Sequence, residues 1–332
     1  MFQRPEAGIF KPVPLSTILL LLAVVASGCA LRNAMDGDYF IRSGKYAEGV
    51  ETFTERLRQN PDDAEANYYM GRYLLALERP AEARQYLERA VRIAPGEAEY
   101  HFRLGLAHLA LNNPEMEERC YEQAVSLEEG HSQAQLYLGH IYLAKGKKAE
   151  ALKAYDRVLA VEPDNEPALY NRALILRQRK GLVAQETAAW KTYLTYHPQG
   201  KWAIPAVEHL NERGDFEYRC FQIGYRKVAV HRIDFKGSGG ELEDASKTSL
   251  KEIGSILDAN RRASVEITAY YKKSQSLAIA RAQAVQEQLL KSFPHMDPTR
   301  LTIRGIGKPE QVRSGGRTYY LQESVVFTTT GL

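Results

Sequence analysis

Ala64-Glu-Ala-Asn-Tyr-Tyr-Met-Gly-Arg-Tyr-Leu-Leu-Ala76 is answered 34 residues later by Ala98-Glu-Tyr-His-Phe-Arg-Leu-Gly-Leu-Ala-His-Leu-Ala110. The shared glycine belongs to a longer series, Gly37, Gly71, Gly105, Gly139 and Ala173, each 34 residues from the next. Pro61, Pro95 and Pro163 keep the same register, with Glu129 in the missing slot. Gly49, Ala83 and Ala151 keep it too, interrupted by Glu117, as do Ala90 and Ala124. Phe53, Leu87, Tyr121 and Tyr155 form a bulky series. Several series on one period mark a repeat array. Small residues let two helices of a hairpin approach closely, and bulky ones fill the space between hairpins. The prolines stop the second helix, because proline lacks the donor and clashes in a helix interior. One unit cannot bury its apolar face alone, so stacked units share a core.

This pattern resembles the tetratricopeptide repeat, a helix–turn–helix unit. Repeats fall at 30–63, 64–97, 98–131, 132–165 and 166–199. In the fifth, Pro198 comes one residue late and Trp190 takes the bulky slot. Trp202–Arg213 reads as a further helix that caps the stack with a polar outer face. Such an array makes a groove lined by the first helix of each hairpin. Tyr68, Arg72, Phe102, Leu106, Leu136, His140, Tyr170 and Arg177 lie on those helices and are the candidate contacts for a protein partner. For each aromatic among them, burial between repeats is the alternative. The Lys/Asn set that clamps chaperone C-terminal carboxylates is missing.

Upstream of the repeats, Arg4 and Lys11 precede a short apolar run, Leu15–Ala26. At ~1.5 Å per residue it is too short for a ~30 Å hydrocarbon core. A basic start, a short apolar run and small residues describe a secretory signal peptide, placed at 1–28. The run ends Ala26-Ser-Gly-Cys29, which resembles the lipobox of bacterial lipoproteins. The resemblance implies a covalent lipid on Cys29, and no other cofactor is expected. Ala30 after the cysteine implies sorting to the outer membrane, facing the periplasm.

Downstream, the 34-residue register stops at about Arg219 and β-branched residues rise. Val228–Phe235, Ser264–Tyr271, Leu301–Arg304 and Ser324–Thr329 read as strands, Asp244–Ala259 and Gln275–Ser292 as amphipathic helices. The order β-α-β-α-β-β implies a helix-backed sheet. Ile233-Asp-Phe235 before a Gly-rich turn, Arg281-Ala-Gln-Ala-Val285 on the second helix and Leu301-Thr-Ile-Arg-Gly-Ile-Gly307 followed by Lys308-Pro309 resemble the OmpA-like domain, a peptidoglycan-associating module. The expected architecture is therefore an N-terminal α-solenoid of helix–turn–helix repeats (29–218) followed by an OmpA-like α/β sandwich (219–332).

In that family an acid after the second strand and an arginine on the next helix hold the charged ends of a diaminopimelate residue. Arg281 fits the arginine position, but Ala269-Tyr-Tyr-Lys272 replaces the segment carrying the acid, and Gln322-Glu-Ser324 replaces a late Asn-Arg-Arg. Two readings follow. Either the domain has lost standard wall recognition, with Arg281 making a structural hydrogen bond, or it binds another anionic group through Lys272, Lys273 and Arg281.

Composition supports a folded protein, and the motifs a non-enzymatic one. The chain has 332 residues, 44 Lys+Arg against 41 Asp+Glu and 44% apolar residues. That balance does not suggest nucleic acid as the main partner. Residues 30–218 carry a net charge of −5 and residues 219–332 one of +7, a surface suited to anionic polymer, headgroups or an acidic protein. No H-E-x-x-H, phosphate-cradling loop or Cys-x-x-Cys occurs. Cys120 and Cys220 remain after lipidation, either bridged in the oxidising periplasm or as two separate thiols. The sequence reading is an outer-membrane scaffold that assembles or stabilises an envelope complex. A pilotin-like factor for a secretin or pilus system and an activator of a cell-wall enzyme are the alternatives.

Overall fold

The computed structural model describes residues 35–237 and 239–331. Cys29 and the signal peptide at 1–28 lie outside the described residues. The described chain divides into two compact units, the first ending at Lys147 and the second beginning at Lys148. The change from helical to sheet-forming sequence falls later, near 218, and the second unit holds both kinds of structure.

The first unit is helical. It comprises α1 (35–43), α2 (Tyr46–Gln59), α3 (Ala64–Ala76), α4 (Pro80–Ile93), α5 (Ala98–Ala110), α6 (Pro114–Leu127) and α7 (Ser132–Ala144). The period explains the packing. A Cβ on Gly71 would overlap the Leu87 side chain, and one on Gly105 would overlap the Tyr121 ring. The small series thus marks where paired helices touch. Phe53, Leu87, Tyr121, Ala83, Ala90 and Ala124 are all 0% exposed. Each fully buried large side chain among them contributes about 1.5–3 kcal/mol of apolar transfer.

The period also repeats hydrogen bonds. Asp63 accepts from Ala66 N–H at 2.9 Å and His131 from Ala134 N–H at 3.2 Å, each capping a helix start. Asn67 Nδ2 donates to Pro61 O at 3.0 Å and Gln135 Nε2 to Glu129 O at 3.2 Å, while His101 Nε2 lies 3.0 Å from Pro95 O. These residues stand 34 apart and tie each first helix to the turn before it. The second helices end two residues before Pro61, Pro95 and Glu129.

The second unit begins with α8 (Lys148–Val161), α9 (Glu166–Arg177), α10 (Val183–Tyr196) and α11 (Ala203–Glu212). Asn165 caps α9 from the same register position, accepting from Ala168 N–H at 3.1 Å. Trp190 is fully buried in the bulky slot, and α10 ends two residues before the late Pro198.

Next come β1 (Tyr218–Ile223), β2 (Arg226–His231), α12 (Asp244–Ala259), β3 (Ser264–Tyr271), α13 (Gln275–Ser292), β4 (Leu301–Ile306), β5 (Glu310–Ser314), β6 (Arg317–Leu321) and β7 (Glu323–Gly331). The main sheet has the order β4-β3-β7. β3 and β4 are parallel, joined through α13, and β7 runs antiparallel to β3. Hairpins β1–β2 and β5–β6 form separate two-stranded sheets. One core gathers Leu250, Ile253 and Leu257 of α12, Ala282, Val285 and Leu289 of α13, the inward residues of β3, β4 and β7, and Phe221, Ile223, Val228 and Val230 of the first hairpin.

Three features differ from the sequence reading. β1 and the β5–β6 hairpin are additional strands. The first predicted strand ends at His231, and Phe235 forms only an isolated bridge to Leu242. The outer face of α11 is not polar: Ala203, Ala206, Val207 and Leu210 are buried in a cluster that includes Ala229 of β2, with Tyr218 and Cys220 of β1 packed against it. The hairpin therefore covers the last helix. Glu208–Lys227 at 2.6 Å and Gln199 Nε2 donating to Ala229 O at 2.9 Å border this contact.

Candidate functional site

In the first unit, i, i+3/i+4 spacing places candidate side chains on one face of each first helix. Tyr68 and Arg72 share a face of α3, Glu99, Arg103 and Leu106 one of α5, and Leu136 and His140 one of α7. A polar chain links them. Tyr69 OH donates to Asp38 at 3.2 Å, and Arg72 Nη1 lies 4.0 Å from the same carboxylate. Arg72 also donates to Tyr68 OH at 3.0 Å, and Tyr68 OH donates to Glu99 at 3.1 Å. Glu99 accepts further from Arg103 at 2.6 Å and faces His131 Nε2 at 3.2 Å. His131 Nδ1 accepts the cap bond, so its ring proton sits on Nε2, toward Glu99.

Burial opposes the charge on Glu99, but the His131 bond, the Arg103 guanidinium and Tyr68 outweigh it and bring its pKa to about 2. Burial, then Glu99, pushes Tyr68 up to about 12. The carboxylate stays ionised and the phenol neutral, so the donors and acceptors are fixed in advance.

The predicted groove residues do not all face outward. Phe102 is 1% exposed and packs among Tyr121, His131 and Tyr137 with centroids 5.0–5.9 Å away. It is a core residue, because the bulky residue of α6 needs a ring to meet. Tyr68 is also largely buried, stacked on Tyr100 at 4.7 Å. Leu106, Leu136 and His140 are half-buried, and burial lowers the His140 pKa. Leu109, one turn beyond Leu106, is 44% exposed and was missed. The spacing i, i+3 from Leu106 carried its signal.

Tyr170 and Arg177 belong to the second unit. Tyr170 stacks on Trp202 at 4.8 Å, and Arg177 bonds Glu212 at 2.8 Å. Both are partly engaged in packing the last helices.

Arg281 is buried, at 2% side-chain exposure. Its Nη1 donates to Glu323 at 2.7 Å and its Nε to Gly239 O at 3.0 Å, with Nη2 3.4 Å from Gly237 O. The guanidinium lies 4.6 Å from the ring centroids of both Phe235 and Tyr271. Every face of the group is therefore occupied by the protein itself. Of the two sequence readings, this geometry is that of the structural arginine. Lys272 and Lys273 are exposed at the end of β3 and do not join Arg281 in its cradle. The sequence reading did not foresee Glu323, whose carboxylate meets the guanidinium within the chain.

Cys120 is buried and Cys220 half-buried, both as free thiols. Burial pushes each up to about 11, so neither has the thiolate character of a nucleophile. Among the described residues no group of three His, Cys, Asp or Glu could hold a metal ion. No described helix is long and apolar enough to cross a membrane.

Family models match the helical part of the chain. Residues 35–98 and 71–118 match a tetratricopeptide repeat model, and residues 139–178 match a second TPR repeat model. Similar solved structures include MamA, 21% identical over 48% of this chain and 94% of that one (TM-score 0.44). YrrB, described as a TPR protein with an unusual peptide-binding site, is 20% identical over 51% and 87% (TM-score 0.44). TTC0263, a thermophilic TPR protein of Thermus thermophilus, is 20% identical over 55% and 99% (TM-score 0.41). No curated protein matches the chain. The helical part is built of tetratricopeptide repeats, and a small sheet-containing region follows it.

Proposed function

We propose that the protein is a non-enzymatic scaffold of the bacterial envelope, held to the outer membrane by lipid on Cys29 and facing the periplasm. Its repeats bind an extended or helical segment of a partner protein, and its OmpA-like region docks to a second envelope component. The observation that carries this reading is the prearranged chain Asp38–Arg72–Tyr68–Glu99–His131, set beside half-buried leucines on the same helices. A fixed row of donors and acceptors next to an apolar strip suits a peptide, whose backbone needs polar partners and whose side chains need burial. Wall recognition through Arg281 is less suited to this molecule, because an incoming carboxylate would have to displace Glu323 and reach a guanidinium already held by backbone carbonyls.

The test is photo-crosslinking in living cells from Leu109 and from His140. The expected result is capture of one envelope protein, lost when Leu106→Glu is added and absent from a crosslinker at Arg89 on α4. No product, or the same products from Arg89, overturns the reading.

A further inference from the structure

The turn of hairpin β1–β2 and the loop from α12 to β3 meet at one end of the sheet-containing region. A Cβ on Gly224 would overlap Asn260 Nδ2 and would lie 3.4 Å from Ala263 Cβ, so turn and loop are in contact. Both are held from behind. Arg300 donates to Leu257 O and Asn260 O at 2.7 Å and to Ala263 O at 2.8 Å. Gly224 N–H donates to Thr329 Oγ1 of β7 at 3.1 Å.

Four side chains on this rigid frame are exposed: Tyr225, at 79%, with Arg226, Arg261 and Arg262. None of them has an ion pair, hydrogen bond or ring contact among the described residues. The neighbouring cation behaves differently, since Lys227 is paired with Glu208 at 2.6 Å. Asp258, in the last turn of α12, makes no ion pair with these arginines among the described residues, and Asp297 accepts from Thr299 N–H at 2.9 Å.

We infer that this end of the molecule is a peripheral membrane contact, in which Arg226, Arg261 and Arg262 bind the phosphates of anionic phospholipid headgroups and Tyr225 enters the interfacial layer. Guanidinium groups match phosphate oxygens in a bidentate fork. A tyrosine has an apolar ring and a polar tip, which suits it to the boundary between headgroups and acyl chains. A soluble polyanion would engage the arginines and leave Tyr225 without a role; a bilayer uses all four. Arg300 and Thr329 hold the loop and the turn by hydrogen bonds, so the contact is ready before binding. This surface rests neither on the lipid at Cys29 nor on the repeat groove.

The test is co-sedimentation of the chain from residue 29 onward, carrying Cys29→Ser so that neither leader nor lipid contributes. The vesicles are phosphatidylcholine alone or phosphatidylcholine with phosphatidylglycerol. Binding is expected only to the anionic vesicles and should weaken as salt rises. Each Arg→Gln change should lower the partition coefficient about fivefold, and the triple change R226Q/R261Q/R262Q about a hundredfold. Tyr225→Ala should weaken binding severalfold with the salt dependence unchanged. K272Q/K273Q, a control at the end of β3, should bind as the parent does. Equal loss in that control would mean diffuse charge rather than this surface and would overturn the inference. So would full binding by Tyr225→Ala, which would leave the tyrosine without its interfacial role, or no binding of the parent to the anionic vesicles.

Discussion

Replacing Arg281 with methionine should loosen the glycine-rich turn rather than merely remove a surface charge. The arginine makes one charge-assisted bond to the Gly239 carbonyl at 3.0 Å and one to Glu323 at 2.7 Å. Charge-assisted bonds contribute about 1.5–3 kcal/mol each. The Glu323 side chain is 53% exposed, so its share is discounted to about 1 kcal/mol. The Phe235 and Tyr271 rings add about 0.5–1 kcal/mol each as cation–π partners. Methionine retains most of the apolar contact, so the cavity contribution is small. The expected loss is about 3.5–6 kcal/mol, against about 1 kcal/mol for Glu323→Gln. Hydrogen exchange on the full chain reads this locally, through Lys236 N–H, bonded to Glu241 O at 2.7 Å, and Glu243 N–H, bonded to Asp234 O at 3.1 Å. Their protection should fall by a few hundredfold or more in Arg281→Met, since about 1.4 kcal/mol is a factor of ten. Unchanged protection in that variant, or a larger effect from Glu323→Gln, would refute the structural role. A folded Arg281→Met protein that alone lost wall binding would restore Arg281 as a ligand group.

Three further outcomes test the packing and the charges. Gly105→Val should destabilise the first unit by about 1–3 kcal/mol in urea unfolding, because the added atoms enter the space of the Tyr121 ring. Arg219 and Glu310 form a buried bidentate pair at 2.8 and 3.0 Å. Glu310→Ala should therefore cost about 3–5 kcal/mol by stranding the guanidinium, and the joint change to methionine at both positions should cost much less. Burial, then the charges of Asp63 and Asp38, raise Glu65 to about 7. The folded state thus holds this proton where the unfolded chain, at about 4.3, has released it. Stability should fall as pH rises from about 4.3 to 7, by about 1–2 kcal/mol once solvent screening is allowed for. Glu65→Gln should flatten that part of the melting-temperature profile.

The repeat array was legible because each of its parts has a position in the period. Gly71, Leu87 and Pro95 each exclude most other residue types from their slots, so a packing rule leaves a mark in the sequence. The helices α12 and α13 and the strand β3 match their predicted spans for the same reason, since their apolar spacing is sustained over many residues. The strands β1, β5 and β6 are short, and only three residues of β1 are buried. The Gly315-Gly316 pair, with φ of +56° and +74°, was the available sign of the second hairpin. The fate of Arg281 was hidden for another reason. The residue matches the arginine position that the resemblance implies, and the glutamate that meets it stands 42 positions away. A pattern read along the chain identifies the group but not the partner that reaches it first.

The hairpin over α11 also bears on how such a chain can change in evolution. An open-ended stack lengthens by duplicating its last 34-residue unit, because each new unit finds the same apolar face waiting. Here that face is taken: Ala206, Val207 and Leu210 meet Ala229, and the strand carrying Ala229 is fused to the sheet-bearing core. A copy inserted after α11 would have no surface to join and would pull β1 and β2 from theirs. Growth or loss of repeats is thus confined to the sequence before α11. The reach of the array can vary among descendants while its junction with the sheet stays the same.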